Sequence, residues 1–341
     1  MAGIFTLRCT ARRAFLSAGA AYAATAGLGG LRLALAQVTQ SPVTQLRMLC
    51  TAPPGSIPDI VARRYAESFV RQFGGSVVVD NRPGAAGRIA VAALRQSPPD
   101  GATMLLAQGA IATVYPYLYE KLAYDPRTDL KPVALAAEAT LGLAVGPAVP
   151  ESAVTLSQFI DWTRAHPDQA NYGSPGPGTL PHLLSALLAR EAGVDWRHVA
   201  YSGGPSALVD LMGGRIASLI LPEGLLRQHH AAGGLRVLAT SGPARSAFMP
   251  DVASFAEQGY PSLVMREWFA LFMPGGTPQS LVDGAAQRVR QAASDGPVPK
   301  ALGEIGMLAA SSSSAELGER IAVEQRYWQR VLSATAIRVE S

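Results

Sequence analysis

The stretch that decides the fold reads RMLCTAPPGSIPDIVARRYAESFVRQFGGSVVVDNRPG and runs from Arg47 to Gly84. Its first part, Arg47–Ala52, is a short apolar run of the kind that forms a buried strand. Asp59–Phe73 then places aliphatic and aromatic residues at i, i+4 spacing, which predicts a helix with one apolar face. A second apolar run, Val77–Val79, follows two glycines and predicts a second strand. The stretch is therefore predicted to form a strand–helix–strand unit.

The same alternation of short apolar runs and helical periods continues beyond this unit. Further strands are predicted at Thr103–Ala107, Leu141–Val145, Asn171–Ser174, Val199–Tyr201, Ile216–Leu221 and Val237–Thr240. Further helices are predicted at Arg88–Gln96, Leu156–Ala165, Pro181–Ala192, Pro205–Met212, Leu225–Ala232 and Ala315–Leu332. Such alternation is typical of βαβ units, so we predict an α/β fold with mostly parallel sheets flanked by helices. The length exceeds that of one comfortable hydrophobic core, which favours two lobes.

The N-terminal residues have the order of a secretory signal. Arg12-Arg13 precedes an uncharged stretch from Ala14 to Leu31, and Ala34-Leu35-Ala36 has the small-x-small form of a cleavage site. We predict that residues 1–36 are a signal peptide removed after Ala36 and that the mature chain is periplasmic. The paired arginines favour the twin-arginine route, and general export is the alternative.

Charge and cysteine content narrow the possible functions. The chain carries 29 basic and 25 acidic residues, and four of the arginines lie in the predicted signal, so the remainder has 25 of each. A neutral chain gives no reason to expect nucleic acid as a partner. Cys9 lies in the signal, so Cys50 alone forms neither an internal disulfide nor a cysteine-rich metal site. We expect no metal, no cofactor and a monomer.

Two loops repeat one pattern, in which a glycine is followed by a hydroxyl residue, an aliphatic residue and a proline. They are Gly55-Ser56-Ile57-Pro58 and Gly178-Thr179-Leu180-Pro181, and each joins a predicted strand end to a helix start. Ligands of open α/β sheets bind beyond the carboxyl ends of strands, where helix N-termini offer free N–H groups that suit a carboxylate. One such loop per lobe would hold the two ends of a small dicarboxylate. The alternative is that both are capped turns, with Ser56-x-x-Asp59 forming a capping box.

Motifs for catalysis are absent from the sequence. It contains no phosphate-binding loop, no nucleophile elbow and no His-Glu-x-x-His metal helix. We therefore expect a binding protein and not an enzyme. An exported hydrolase that uses His182 or a carboxylate of the cleft is the alternative from another class, and a saturable ligand without turnover would separate the two.

Segments distributed along the chain resemble, in the same order, the Bug-type extracytoplasmic solute receptors of tripartite tricarboxylate transporters. The resemblance covers the sequence from about Leu46 to the C-terminus. The segments that carry it are Pro53-Pro54-Gly55, Asp59-Ile60-Val61-Ala62-Arg63, Val77–Gly87, Pro99-Asp100-Gly101, Leu118–Pro126, Asn171–Ser174, Gly178–Leu183, His198–Tyr201, Pro250-Asp251-Val252, Glu257-Gln258-Gly259, Trp268-Phe269 and Pro274–Pro278.

The resemblance implies a type II periplasmic-binding-protein fold, also called a Venus flytrap. One lobe would combine residues 37–137 with 250–341, and the other would span 138–249. The lobes would hinge near Leu135–Leu141 and Thr240–Pro250 and close on a small organic carboxylate. The receptor would deliver this ligand to membrane transporter subunits, or present it to a periplasmic sensor domain without a transporter of its own. The resemblance places in the cleft Gly55, Ser56, Ile57, Pro58, Asp59, Gly84, Ala85, Gln108, Gly109, Ser174, Gly176, Gly178, Thr179, His182, Tyr201, Gly203 and Trp268.

Departures from the family pattern bear on the ligand. Family members carry a glycine-rich run in the first loop, where this chain has Ile57 and Pro58, and Pro58 removes one N–H donor. Arg88 stands where asparagine is common, and Arg266-Glu267 stand where small polar residues are common. Because Ile57 adds apolar surface, an aromatic or otherwise less polar carboxylate is predicted alongside the simple dicarboxylates.

Overall fold

A computed structural model describes residues 45–294, 296–335 and 337. The predicted signal peptide and its cleavage after Ala36 lie outside the described residues. The strands are β1 (Gln45–Cys50), β2 (Ser76–Asn81), β3 (Thr103–Gln108), β4 (Leu130–Val145), β5 (Asn171–Ser174), β6 (Arg197–Ala200), β7 (Ser218–Pro222), β8 (Arg236–Thr240), β9 (Arg266–Pro274) and β10 (Met307–Ala309). The helices are α1 (Ile57–Phe73), α2 (Arg88–Arg95), α3 (Ala110–Thr113), α4 (Tyr115–Leu118), α5 (Pro126–Asp129), α6 (Leu156–Ala165), α7 (Leu180–Glu191), α8 (Gly204–Met212), α9 (Glu223–Ala231), α10 (Gln279–Ser294), α11 (Pro297–Glu304) and α12 (Ser314–Ala334).

The opening stretch forms the predicted strand–helix–strand unit. β1 pairs in parallel with β2 on one side and with β3 on the other. α1 has Pro58 in its first turn, where a missing N–H costs nothing, and it ends at Gly74, whose φ of 66° is left-handed. Its apolar face, which includes Val61, Tyr65 and Phe69, is fully buried together with residues of β1, β3 and α10. The i, i+4 spacing in the sequence therefore identified the face that anchors α1.

One long strand, β4, joins the two halves of the sheet. The strand order is β2-β1-β3-β9-β4-β7-β5-β6, with β8 and β10 also paired to β4. β4 pairs with β9 up to Thr140 and with β7 from Leu141 onward, so a single strand passes through both halves. The pairs that do not involve β4 or β9 are parallel, and those that do are antiparallel. The result is a mixed α/β architecture in which parallel βαβ units are linked through β4 and β9.

Predicted and observed helices and strands agree best where the apolar residues of a segment follow a clear helical or strand pattern. The bounds predicted for α6 and β5 match those observed, and most other boundaries differ by one or two residues. β4 begins at Leu130 and not at Leu141, and β9 was not predicted. Most of β9 is buried, so its sequence is a nearly continuous apolar run without the alternation that marks a half-exposed strand. No helix in the described part of the chain is long and apolar enough to cross a bilayer.

Candidate ligand-binding cleft

A cavity of about 180 Å³ lies just beyond the carboxyl ends of β1, β3, β5 and β6. It is smaller than pockets for drug-sized molecules, which span about 300–1,000 Å³. Loops from both halves of the sheet form its walls. Its lining consists of Thr51, Ala52, Ile57, Pro58, Gly84, Ala85, Ala86, Gly87, Gln108, Pro175, Gly176, Pro177, Thr179, Pro181, Tyr201, Ser202, Gly203, Leu221, Pro222, Leu225, Glu267 and Phe269.

The two loops with the repeated sequence pattern have the same backbone arrangement. Ser56 Oγ donates a hydrogen bond to the Pro53 carbonyl at 2.5 Å, and Thr179 Oγ1 donates one to the Gly176 carbonyl at 2.7 Å. Both hydroxyls therefore tie their own loop together instead of capping the helix that follows. The sequence repeat thus corresponds to a structural repeat on opposite walls of the cavity.

The predicted capping box at the start of α1 is wrong. Ser56 occupies the N-cap position but accepts no hydrogen bond from the first turn, because its hydroxyl is committed to Pro53. Asp59 accepts a hydrogen bond from the Gly55 N–H at 2.9 Å and others from the Arg63 and Asn81 side chains. Burial raises the pKa of Asp59, but these hydrogen bonds outweigh it, so the pKa lies below its ordinary value. Asp59 therefore supports the loop as an anion and is neutralised by Arg63.

Three helices begin beside the cavity, because Ile57 and Pro58 of α1, Pro181 of α7 and Gly203 before α8 belong to its lining. α1, α7 and α8 each carry a proline at the second position, which has no N–H. The remaining first-turn N–H groups have no hydrogen-bond partner among the described residues, and they belong to Ile57, Asp59, Leu180, His182, Gly204 and Ser206. Three helix N-termini with their positive dipole ends thus adjoin one small cavity. Helix N-termini of this kind suit an anionic group even where no basic side chain is present.

The loop before α2 adds strained backbone to the same wall. Ala85 and Ala86 have φ values of 46° and 52°, a left-handed conformation that costs about 1–2 kcal/mol per residue outside glycine. The carbonyl of Ala86 accepts hydrogen bonds from Gln108 Nε2 at 2.9 Å and from Tyr115 Oη at 2.8 Å. Gly87 lies so close to Thr51 and Gln108 that a Cβ there would be about 3.0–3.1 Å from both side chains. Strain held in place by such contacts is typical of binding sites.

The electrostatics of the lining are unusual for an anion site. The described residues that line the cavity include no lysine, arginine or histidine. Arg88 lies outside it, with its guanidinium 4.1 Å from the centre of the Tyr119 ring. Arg266 also lies outside the lining. Glu267 is the one carboxyl among these described lining residues, and burial followed by the charge of Glu324 raises its pKa to about 8.

The residues implied by the family resemblance divide into two groups. Nine of them line the cavity, namely Ile57, Pro58, Gly84, Ala85, Gln108, Gly176, Thr179, Tyr201 and Gly203. The other eight, namely Gly55, Ser56, Asp59, Gly109, Ser174, Gly178, His182 and Trp268, are not part of the lining. Several of the eight hold the lining loops from behind, as Asp59 does for Gly55.

A cluster of rings, in which Tyr172 and His182 are buried and His198 is half-buried, supports the loop that contains Gly176 and Gly178. His182 and His198 lie with ring centroids 4.1 Å apart, and Tyr172 packs against both rings. The Gly178 N–H donates to His182 Nδ1 at 3.1 Å, and His198 Nε2 lies 2.7 Å from Ser174 Oγ. Burial lowers the pKa of His182 to about 3 and that of His198 to about 4, so both rings are neutral at physiological pH.

Trp268 belongs to a second network behind the cavity. Its indole N–H donates to the carboxylate of Glu324 at 2.9 Å, and Arg320 bonds the same carboxylate at 2.9 Å and Glu138 at 2.6 Å. The indole ring lies against Gly109. Trp268 thus connects β9 to α12 and β4.

Sequence reasoning placed none of the residues on the floor of the cavity in the cleft, although Glu267 stood out as a departure from the family pattern. Leu221 and Pro222 end β7, and Glu267 and Phe269 belong to β9. The rule that ligands lie beyond strand carboxyl ends, applied to the predicted strand at Ile216–Leu221, would have found Leu221. Glu267 could not be found in that way, because β9 was not identified as a strand and runs antiparallel to β3.

Comparison with known proteins gives a consistent result. Residues 61–337 match the family described as "Tripartite tricarboxylate transporter family receptor". The chain is 32% identical to a UPF0065 protein of Bordetella bronchiseptica, with 90% of each chain covered. It is 30% identical to protein BugT of Bordetella pertussis, with 88% of this chain and 91% of BugT covered.

Two solved structures from Rhodopseudomonas palustris resemble the fold. One, Rpa4515 with adipate, has a TM-score of 0.80 and 27% identity, and the alignment covers 85% of this chain and 96% of the other. The second, MatC with bound malate, has a TM-score of 0.79 and 26% identity, and the alignment covers 86% of this chain and all of the other.

Proposed function

Because the chain belongs to the receptor family of tripartite tricarboxylate transporters, we propose that it is a periplasmic solute-binding protein for a small carboxylate. The observation that carries the proposal is the set of free N–H groups at the starts of α1, α7 and α8, which adjoin one cavity. Rpa4515 was solved with adipate and MatC with malate, so structural relatives hold small dicarboxylates. The comparisons and the geometry thus favour the same ligand class.

The lining narrows the class of carboxylate. Helix N-termini suit the charged end of a ligand, whereas Ile57, Leu221, Leu225 and Phe269 offer apolar surface to its carbon chain. At about 180 Å³ the cavity is smaller than pockets for drug-sized molecules, which span about 300–1,000 Å³. The proposed ligand is therefore a small acid with an apolar middle section.

We propose that the lobes close over this ligand by bending at a narrow hinge. β4 changes partners between Thr140 and Leu141, and Ser241 bonds both Leu141 and Met265 through backbone and side chain. The lobe boundaries at residues 137/138 and 249/250 stay a prediction. The bonds of Ser241 favour a second crossing between Ser241 and Met265, because residues near Ser254 still bond β8.

The proposed receptor is exported to the periplasm, delivers its ligand to a membrane partner and does not convert the ligand chemically. The signal at residues 1–36 would direct the chain to the periplasm, by the twin-arginine route or by general export. The closed receptor would then dock on membrane transporter subunits or on a sensor domain. An exported hydrolase is the competing function, and incubation of a bound acid with the protein should return the acid unchanged.

A thermal-shift screen of residues 37–341 against mono-, di- and tricarboxylates and amino acids tests the proposal. A ligand at a hundred times its Kd should stabilise the folded state by about 2.7 kcal/mol. Gly203→Val should weaken binding by about tenfold or more, because a Cβ at Gly203 would lie 2.9 Å from Pro53 across the cleft. Val209→Ala, on the exposed face of α8, is the matched control and should leave binding unchanged. Failure of every acid to stabilise the protein would overturn the proposal.

A further inference from the structure

Glu267 is a buried carboxyl group without a partner among the described residues. Its side chain is 6% exposed and lines the cavity beside Phe269. None of its carboxyl oxygens forms a hydrogen bond or ion pair with a described residue. A buried charge is normally paired, so an unpaired carboxyl in this position indicates either a neutral acid or a group that awaits a ligand.

The other polar side chains of the lining, apart from Ser202, already donate hydrogen bonds to protein groups. Thr51 donates to Gln108, and Gln108 donates to the carbonyl of Ala86. Thr179 donates to Gly176, and Tyr201 donates to Asp210 at 2.8 Å. Ser202 also lines the cavity, but it is exposed at the mouth. A ligand group that reaches the interior therefore finds one uncommitted side chain among the described residues, that of Glu267.

None of the basic groups near Glu267 forms an ion pair with it among the described residues. Arg320 of α12 bonds Glu324 and Glu138. Arg88 of α2 stacks on Tyr119, and Arg266 lies outside the cavity. The titratable and charged groups around Glu267 are therefore Glu324 and Arg320 on α12, Glu138 on β4, Tyr115 on α4, Arg88 on α2 and Arg266 on β9 itself.

We propose that Glu267 acts as a neutral carboxylic acid that donates a hydrogen bond to a second carboxylate of the ligand. The first carboxylate would lie at the helix N-termini, so the inference rests on the proposed function. Glu267 would then select dicarboxylates over monocarboxylates with an apolar end, because a ligand without the second acceptor leaves this buried acid unpaired. An ionised Glu267 would instead repel the same ligand.

The protonation state of Glu267 should make the affinity for dicarboxylates depend on pH. The pKa of Glu267 is raised to about 8, first by burial and then by Glu324. Below that pH the acid carries its proton, and dicarboxylate affinity should be constant. Above it, binding requires uptake of one proton, so the Kd should rise about tenfold for each pH unit.

The experiment measures the Kd of straight-chain dicarboxylates from succinate to suberate, and of the matching monocarboxylates, between pH 6 and pH 9.5 by calorimetry. Glu267→Gln keeps a donor and should bind dicarboxylates near the wild-type affinity at pH 7 but without the rise in Kd at high pH. Glu267→Met removes the donor and should weaken dicarboxylates by about ten- to a hundred-fold while leaving monocarboxylates unchanged or tighter. Glu223→Gln is the control, since Glu223 is also a buried carboxyl with a raised pKa but does not line this cavity.

The outcomes separate the two proposals. If no acid binds the wild type, both the proposed function and the inference fail. If acids bind but Glu267→Met leaves the ratio of di- to monocarboxylate affinity unchanged, the inference alone fails. Tighter binding of an amino acid as pH rises, abolished in Glu267→Gln, would mean that Glu267 pairs as an anion with an ammonium group and would also overturn it.

Discussion

The indole of Trp268 lies so close to Gly109 that a Cβ on that glycine would overlap the Trp268 ring at Cε2. The Gly109 N–H also donates to the Trp268 carbonyl at 2.9 Å. The end of β3 and the first residues of β9 are thus fixed against each other by a contact that only glycine allows. Glu267, which lines the cavity, is the chain neighbour of Trp268 and precedes this contact in β9.

Gly109→Ala is expected to destabilise the protein by about 1–3 kcal/mol, because the added methyl group must displace the indole from its bond to Glu324. Urea unfolding would measure the loss as a lower midpoint. Gly284→Ala in α10 is the matched control, since a Cβ there meets nothing within 4 Å. That substitution should be neutral or stabilising by up to about 1 kcal/mol. Equal midpoints for the two variants would show that the ring moves aside without cost.

The sequence predicts those features of this region that depend on residues close together in the chain, and it does not predict contacts between distant residues. The helix and strand periods from Arg47 to Val79 were readable because each element shows its own pattern of apolar residues. The repeated loops at Ser56 and Thr179 were also readable, since their bonds span three residues. Trp268 and Gly109 meet across β3 and β9, far apart in sequence, and no local pattern encodes that contact. Glu267 stood out in the sequence only as a departure from the family pattern, because its place in the cavity depends on a strand that lacks alternation.

Ser241→Ala should destabilise the protein at the proposed hinge. Ser241 Oγ accepts a hydrogen bond from the Leu141 N–H at 3.0 Å and donates one to the Met265 carbonyl at 2.6 Å. Ser241 is fully buried, so its removal leaves two backbone groups without partners at a cost of about 1–3 kcal/mol. Thermal unfolding at neutral pH checks this. Ser333→Ala is the control, because Ser333 is exposed and bonds only the carbonyls of its own helix; a loss as large there would contradict the explanation.

The paired histidines His182 and His198 should make the protein acid-sensitive. Both have folded-state pKa values below 6.5, at about 3 for His182 and about 4 for His198, so the unfolded chain binds more protons as pH falls below 6.5. Stability should therefore be unaffected at pH 7 and fall below about pH 6, by about 1.4 kcal/mol per pH unit for His182 and by less for the half-buried His198, whose charge water screens.

Unfolding midpoints of His198→Gln between pH 7 and pH 5 would measure this loss, and the fall should be shallower than in the wild type. His166→Gln serves as the comparison, because His166 is exposed and contacts only its own helix. If all three proteins lose stability in parallel, other groups are responsible for the acid sensitivity.

Glu267 should have the opposite dependence on pH. Its pKa is raised from 4.5 in the unfolded chain to about 8, so the folded state binds more protons between these values. Stability is fully present below about 4.5 and is lost as pH rises towards 8. Glu267→Gln removes the buried ionisable group and should raise the free energy of unfolding at pH 8 by an amount on the order of a few kcal/mol, while changing it little at pH 5. Because this measurement needs no ligand, it tests the neutral state of Glu267 separately from its part in binding. A variant equally stabilised at both pH values would mean that the side chain is strained in its packing, and that its charge is not what the folded state avoids.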